Sequence, residues 1–415
     1  MFQAKVRFDQ NKKMEFAGKH ILMIVENLPV PFDRRVWQEA TTLKEHGAEV
    51  SIISPKMKGY LTPYEVIDGI EIYRHPLQIE ARGALGYLFE YGTAIYWEMK
   101  LARRIYKKKP FHIIHGCNPP DLIYLTAKRY KRKGVKYVFD HHDINPELYI
   151  AKYGKKDFFY KLMLFFEQQT FKNAAASIAT NESYKKIAVL RGKMHPDKVH
   201  IVRSGPKLDR LKLQDHRPEF KKGRKYLIGY LGVIGEQEGI DLLLESVKYI
   251  IERHYDVQTA IVGDGSDLKI LKKMSVAMGL SDYVDFYGRV PDQLLIDILN
   301  TADICVNPDK PTEMNNLSTM NKIMEYMALK KPIVQYDLRE GRFSAQKASL
   351  YATNGSIQDF AEKIIYLLDN ESIRKEMGEF GYNRVLNELS WEYESQKLVE
   401  FYKMVFQQNS VHISR

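Results

Sequence analysis

The chain has 415 residues, of which 45% are hydrophobic and 28% charged, with only two cysteines and a formal net charge of +11. That length exceeds what one hydrophobic core normally supports, so two domains are expected, and the composition excludes disorder, collagen and coiled coil. Cys117 and Cys305, each inside an apolar run, supply neither a disulfide framework nor a metal cluster and point to a reducing, cytoplasmic compartment.

The first twenty residues carry five Lys or Arg and no apolar secretory core, so residues 1–19 read as a flexible extension with structure beginning at His20. No segment reaches the roughly 18 to 20 apolar residues of a membrane span; the nearest, Phe158 to Phe166, is interrupted by Lys161. Residues 1–205 hold 35 basic against 21 acidic side chains, and the remainder 28 against 31. The basic runs Arg103 to Lys109 and Lys128 to Lys136 suit nucleic acid, anionic lipid or an anionic substrate, and equally suit solvated helix ends.

Short β-like apolar runs alternate with amphipathic stretches, the pattern of α/β proteins with parallel sheets. In the front half strands are predicted near 20–27, 48–55, 70–75, 112–117, 136–142, 176–181 and 199–204. The stretch Asp33 to His46 is predicted helical: Val36, Ala40 and Leu43 form its apolar stripe, Asp33 can cap it and Gly47 follows it. The pattern restarts at 225–232, 257–265, 284–290, 304–309, 332–337 and 349–354. This gives two Rossmann-like doubly wound domains, 20–206 and 225–389, joined by a Lys-, Arg- and Pro-containing linker, 207–224. The segment 390–415 is expected to form a helix packing back toward the first domain. In such sheets ligands bind beyond the carboxyl ends of the strands, so the site is expected where the two domains face each other across a cleft.

Strand-end loops therefore carry the candidates. After the first strand, Pro31 stiffens the loop, Asp33 opens the helix and Arg34 is a nearby cation, although an ordinary strand-to-helix turn reads the same way. The fifth strand ends in Asp140-His141-His142-Asp143, where imidazole and carboxyl groups beyond a buried strand suit a sugar hydroxyl or a phosphate oxygen. Adjacent strand residues face opposite ways, so His141 and His142 cannot both chelate one ion, and no metal site is expected. In the second half, Gly232, Gly263, Arg289 and Val290 lie at strand ends, where tight turns are an equal explanation. The segment Asn315 to Pro332, NNLSTMNKIMEYMALKKP, offers Ser318 or Thr319 as a helix cap, backbone N–H groups for a phosphate, and Glu325 two turns on as a candidate for ribose hydroxyls or as a mere surface carboxylate.

The segments VGDG, FYGRVP, ADICVNP, STMNKIMEYMALKKPIV and YDLREGRFSA, in this order, resemble the donor domain of retaining, nucleotide-sugar-dependent GT-B glycosyltransferases of family four (group 1). DRRVWQEATTLKEHGAEV, VFDHHDINPE and the tail SWEYESQKLVEFY are similar to the rest of that family, from about His20 to Phe406. The resemblance implies that His142, with Asp143, serves the transferred sugar and that Glu325 binds the donor ribose. It places Arg289 and Val290 beside the base, and has Ser318, Thr319 and Met320 offer N–H groups to the diphosphate. It also implies no cofactor and no metal, because N–H dipoles at a helix terminus and nearby cations neutralise the leaving diphosphate, and no dedicated protein base, because the departing phosphate itself accepts the acceptor proton. Two departures stand out: Leu317 replaces the first glutamate of the family's acidic pair, and Val233 and Glu238 occupy its usual diphosphate-binding Arg and Lys slots. Arg203, Lys207 or Lys322 is the expected substitute cation.

The predicted activity is therefore sugar transfer from a nucleoside-diphosphate sugar to a glycan or polyprenyl diphosphate-linked acceptor in cell-surface polysaccharide synthesis, such as capsule or lipopolysaccharide. A nucleotide-sugar epimerase and a non-catalytic scaffold of the same fold are the alternatives. No nucleic-acid partner is expected, since no stacking or recognition-helix pattern accompanies the charge. The aromatic stretch Ala84 to Trp97 beside Arg103 to Lys109 suggests a peripheral contact with an anionic membrane, on the inner face of the plasma membrane; burial of the same aromatics in the core is the competing reading.

Overall fold

Parallel strands are covered on both faces and so need continuous apolar runs, and His20–Val25, HILMIV, is buried at all six positions. The computed structural model describes residues 14–76 and 84–407, with backbone alone for 84–91. The chain divides into two units, one formed by the chain up to Val202 together with residues from Ser395 onward, the other by Arg203–Glu394.

The first unit contains β1 (His20–Val25), β2 (Glu49–Lys56), β3 (Tyr64–Ile67), β4 (Ile70–Pro76), β5 (Ile113–Cys117), β6 (Lys136–His141), β7 (Ala176–Ala179) and β8 (Val199–Ile201). Their order is β3-β4-β2-β1-β5-β6-β7-β8, parallel throughout except for the antiparallel edge strand β3. In register, Ile21 lies opposite Val50 on one side and Ile113 on the other. The helix Arg34–Glu45 starts as predicted, with Asp33 Oδ1 accepting the Val36 N–H at 3.1 Å. The edge hairpin β3–β4 was not predicted, and its turn places Asp68 and Gly69 at positive φ.

The second unit contains β9 (Tyr226–Leu231), β10 (Val257–Val262), β11 (Val284–Gly288), β12 (Ile304–Asn307), β13 (Ile333–Tyr336) and β14 (Ser349–Ala352) in the all-parallel order β11-β10-β9-β12-β13-β14. Alternating residues of β9 feed two core layers: Ile228 and Tyr230 pack with Leu243, Val247, Phe360 and Ile364, whereas Leu227 packs with Leu299, Ile323 and Met327.

Two expectations about the boundaries need correction. Structure begins before His20, because Phe16 is buried against His46, Tyr402 and Phe406. Residues 207–224 are not a free linker: Leu211 is buried in the second core, and the Gln214 and Arg217 N–H groups donate to Asn300 and Thr301. The last helix, Trp391–Gln407, begins in the second unit and from Ser395 belongs to the first. There Leu398, Phe401, Tyr402 and Val405 are fully buried. In the stretch Ala84 to Trp97, the side chains of Leu85, Leu88, Phe89 and Tyr91 lie outside the described residues; Ala94 is buried and Tyr96 exposed. Among the described residues no helix is long and apolar enough to cross a membrane.

Candidate functional site

In each sheet the chain reverses its direction of winding once, between β1 and β5 in the first unit and between β9 and β12 in the second. Loops diverge at the carboxyl side of such a point and leave a crevice. Each unit gathers its polar candidates there.

In the first unit Asp140, the penultimate residue of β6, is the hub. Its carboxylate accepts from Arg35 Nη2 at 2.9 Å and Nε at 3.3 Å, pairs with the His142 Nε2 group and lies 3.3 Å from His115 Nε2. Arg35 also meets Glu39 at 3.0 Å, one helical turn along, and donates to the Val202 carbonyl at 3.0 Å. Behind His115, the Tyr402 hydroxyl from the last helix lies 2.6 Å from Nδ1. Asn118, just beyond β5, fixes the loop after β6: its Oδ1 accepts the N–H groups of His142 and Asp143 at 2.6 and 3.1 Å, and its Nδ2 donates to the Asp143 carbonyl. His142 is thus held at both backbone and ring, with its side chain 12% exposed.

The electrostatics follow from burial opposed by pairing. Burial disfavours the Asp140 charge, but Arg35 and His142 outweigh it and hold the carboxyl well below its ordinary value. Burial likewise opposes the His142 charge, and Asp140 reverses this and holds the imidazole well above. Asp143 is half-buried, and its desolvation, with the Asp33 charge nearby, raises it despite His142. Two groups of metal-type ligands come within 4.8 Å, His115 with Cys117 and Asp140, and Glu39 with Asp140 and His142. Arg35 is paired with both acids of the second group, so their negative charge already has its cation.

His141 turns to the other face, among Phe139, Phe171 and Tyr184, with neither ring nitrogen hydrogen-bonded. Burial, with Arg191 nearby, pushes its pKa down to about 3. The sign follows: below the unfolded value of about 6.5 the unfolded chain binds a proton that the folded chain refuses, so stability is lost as pH falls. Between pH 7 and 5 the parent is expected to lose about 2 kcal/mol more than His141→Phe, measured as the difference between their urea midpoints at the two values. Parallel pH dependences would refute a neutral His141.

In the second unit Gly232 and Gly263 are packing residues. A Cβ on Gly263, which has φ 148°, would meet the Gly232 carbonyl oxygen at 1.7 Å, so the loops after β9 and β10 can touch only because that side chain is absent. The second helix after β12 runs Asn321–Ala328 with Met320 at its N-cap. Neither Ser318 nor Thr319 caps it, which corrects the sequence expectation: Ser318 ends the preceding helix, Glu313–Leu317. The N–H groups at the helix opening are those of Met320, Asn321 and Lys322, the Ile323 N–H donating to the Met320 carbonyl.

Lys322 is buried. Its ammonium donates to Glu238 at 2.7 Å, Asp309 at 2.9 Å and the Tyr230 hydroxyl at 3.3 Å. Burial pushes Asp309 up to about 7 in spite of Lys322, whereas Lys322 holds Glu238 below its ordinary value against the same penalty. The lysine expected as a diphosphate cation therefore stands beside the acid that occupies the family's lysine slot, and is engaged by it. Arg203 is buried too, 3.5 Å from Thr319 Oγ1, 3.7 Å from Glu340 and over the Phe343 ring. Lys207 is half-buried and forms no ion pair among the described residues. Glu325 is paired with Arg210, which also lies 3.6 Å from Asp292. Arg289 is exposed, and half-buried Val290 packs against the second core.

Of the front-loop candidates, Asp33 is occupied as a cap, Pro31 is half-buried and Arg34 is exposed. Sequence reasoning missed Arg35, Glu39, Asn118, His115 and Tyr402 in the first unit, and Arg210, Asp309 and Glu340 in the second. The spacing of Arg35 and Glu39, one helical turn apart, was the available signal for that pair.

The fold is GT-B. It matches sucrose-phosphate synthase from Thermosynechococcus elongatus with TM-score 0.75 at 16% identity, covering 94% of this chain and 99% of that one. It matches Anabaena HepE in complex with UDP and glucose with TM-score 0.71 at 13% identity, covering 93% and 100%. Residues 33–210 match the model for Glycosyltransferase Family 4, and residues 225–370 that for Glycosyl transferases group 1. With both halves matched in this way, the chain is a group 1 glycosyltransferase. The capsular polysaccharide biosynthesis glycosyltransferase CapM of Staphylococcus aureus is 23% identical over 309 residues, which cover 70% of this chain and 76% of CapM.

Proposed function

We propose that the protein transfers a sugar from a nucleoside-diphosphate sugar to a hydroxyl of a glycan or polyprenyl diphosphate-linked acceptor, with retention of configuration and without a metal, in cell-surface polysaccharide synthesis. The observation that carries this reading is the switch point of the second unit. There the Gly232 and Gly263 loops, the opening of the helix Asn321–Ala328, and Glu325 on that helix lie where a nucleoside diphosphate binds in such sheets. In the transfer the bond from the anomeric carbon to the diphosphate oxygen breaks, the bond to the acceptor oxygen forms, and the acceptor proton passes to the departing phosphate. His142 and Asp143 would orient the sugar hydroxyls. Lys207 is the best placed of the substitute cations, since Lys322 and Arg203 already face carboxylates. CapM in capsule synthesis and WaaG in lipopolysaccharide synthesis favour a cell-surface product, and the net positive first half favours an anionic acceptor at the cytoplasmic face of a membrane.

A thermal-shift panel of nucleoside diphosphates and nucleotide sugars, followed by a transfer assay, tests the reading. A true donor at a hundred times its Kd stabilises by about 2.7 kcal/mol, and absence of any shift across the panel would refute it. A carboxylate has up to about four acceptor sites, so the pairing with Arg210 leaves room at Glu325 for ribose hydroxyls. Glu325→Gln is expected to weaken nucleoside-diphosphate binding about 10- to 100-fold, the scale of a charged hydrogen bond, while Arg210 keeps Asp292 as a partner and the melting temperature changes little. Unaltered affinity, by calorimetric titration, would remove Glu325 from the donor site. Transfer is expected to persist in EDTA; activity lost in chelator and restored by Mg or Mn would contradict metal independence.

A further inference from the structure

The two helices that follow β6 expose an apolar surface that the sheet leaves uncovered. The helix Phe158–Asn173 reads FFYKLMLFFEQQTFKN, yet its buried residues are Glu167, Thr170 and Phe171, all in its second half. None of the first nine residues is buried, and Phe158 and Phe165 are 71% and 51% exposed. Leu148 and Tyr153 on the helix Asn145–Tyr153 are exposed as well. The surface is held in shape: the Tyr149 hydroxyl donates to Asp157 at 2.9 Å, Asp157 caps the second helix, and the Tyr149 and Tyr153 rings lie 4.8 Å apart. Phe159, Tyr160, Leu162, Met163, Leu164 and Phe166 are half-buried, and clusters of exposed aromatics beside such residues mark interaction surfaces on soluble proteins.

Charge selects that partner. Lys152, Lys155, Lys156 and Lys161 border the aromatics and are exposed, and two of them lie over tyrosine rings, Lys152 over Tyr153 and Lys156 over Tyr160. Of the acids nearby, Glu147 is paired with Arg191, and Asp157 is held by Tyr149 and the helix N–H groups. A second copy of the chain would bring like lysines together across a two-fold axis. A surface of apolar depth beneath negative charge accommodates both features: aromatics enter the acyl boundary while lysine stems follow them and keep their ammonium groups among anionic headgroups.

We propose that this hairpin, residues 145–166, docks the protein onto an anionic lipid bilayer. The inference rests on the transferase reading for its purpose. The helix Phe158–Asn173 runs back to the start of β7, so its exposed first half lies toward the carboxyl edge of the sheet, the edge where β6 delivers His142. A lipid-linked acceptor held by the same bilayer would be presented to that edge.

Flotation of the full-length protein with phosphatidylcholine vesicles, with and without phosphatidylglycerol, tests the surface. The parent should float with phosphatidylglycerol-containing vesicles only, and less so at high salt. Phe158→Ser with Phe165→Ser, and separately Lys155→Glu with Lys156→Glu, should each reduce that binding by about tenfold or more without lowering the melting temperature. Three results would overturn the proposal: a parent that does not float with anionic vesicles, both double variants floating like the parent, or a parent dimer that the phenylalanine variant makes monomeric. Donor hydrolysis without vesicles should be equal in parent and variants. If hydrolysis is absent in all of them while flotation behaves as described, the transferase reading fails and the membrane surface stands.

Discussion

Arg35→Met is expected to cost about 3 to 5 kcal/mol of stability, because it removes the cation from a buried ion-pair cluster and strands the carboxylates that it faced. Asp140 is fully buried and Glu39 is fully buried, and the same guanidinium meets both. The neighbouring Arg34→Met, on an exposed side chain, should change stability by about 0.5 kcal/mol or less. Urea unfolding of the two variants gives the comparison, with an unchanged slope showing that the midpoint alone has moved. The pH dependence supplies a second check. Asp140 has its pKa depressed in the fold, so it contributes stability at neutral pH that disappears as pH falls through the carboxylate range. The gap between parent and Arg35→Met should therefore narrow on acidification. Equal midpoints for the two arginine variants would show that the cluster does not hold the first unit together.

The largest effect on activity is expected from His142→Ala, with kcat for transfer falling about a hundredfold or more. The ring is fixed by Asp140 and its backbone by Asn118, and loss of an oriented group at a reacting sugar has consequences of that order. Asp140 keeps Arg35 in the variant, so folding should survive. His141→Phe is the matched control, since its ring lies in the opposite layer among aromatics. Transfer at the parental rate by His142→Ala, together with failure of His141→Phe, would reverse the assignment.

Much of the scaffold was legible because strands buried on both faces must be apolar at nearly every position, which a linear sequence displays directly. β3 escaped for the opposite reason. Tyr64 and Val66 point to solvent while Glu65 and Ile67 are half-buried, so its pattern runs against the usual alternation, and only the Asp68-Gly69 turn announced the hairpin. The site was less legible. Apolar periodicity identified Val36, Ala40 and Leu43 as the buried stripe, but it has no means of showing that Arg35 is buried beside them with Glu39 as its partner, since the other carboxylate that the guanidinium meets is on an aspartate far along the chain. Lys322 is a similar case. Its place in the helix was clear, whereas the acids that enclose it come from the loops after β9 and β12 and meet it only in three dimensions. The path of the segment 207–224 was misread because its polar composition resembles a linker, while Leu211 and two backbone N–H groups anchor it.

The last helix has a consequence for the order in which the chain matures. The second unit is one continuous stretch, Arg203–Glu394, and can close as soon as it has left the ribosome. The first unit is begun earlier but lacks a wall until Leu398, Phe401, Tyr402 and Val405 arrive, and until the Val405 carbonyl accepts from Lys136 at 2.6 Å. Translation therefore starts the first unit and finishes it last, with its eight strands made but its last helix missing while the whole of Arg203–Glu394 is synthesised. A chain stopped at Glu394 would carry a complete second unit attached to an unsealed first one.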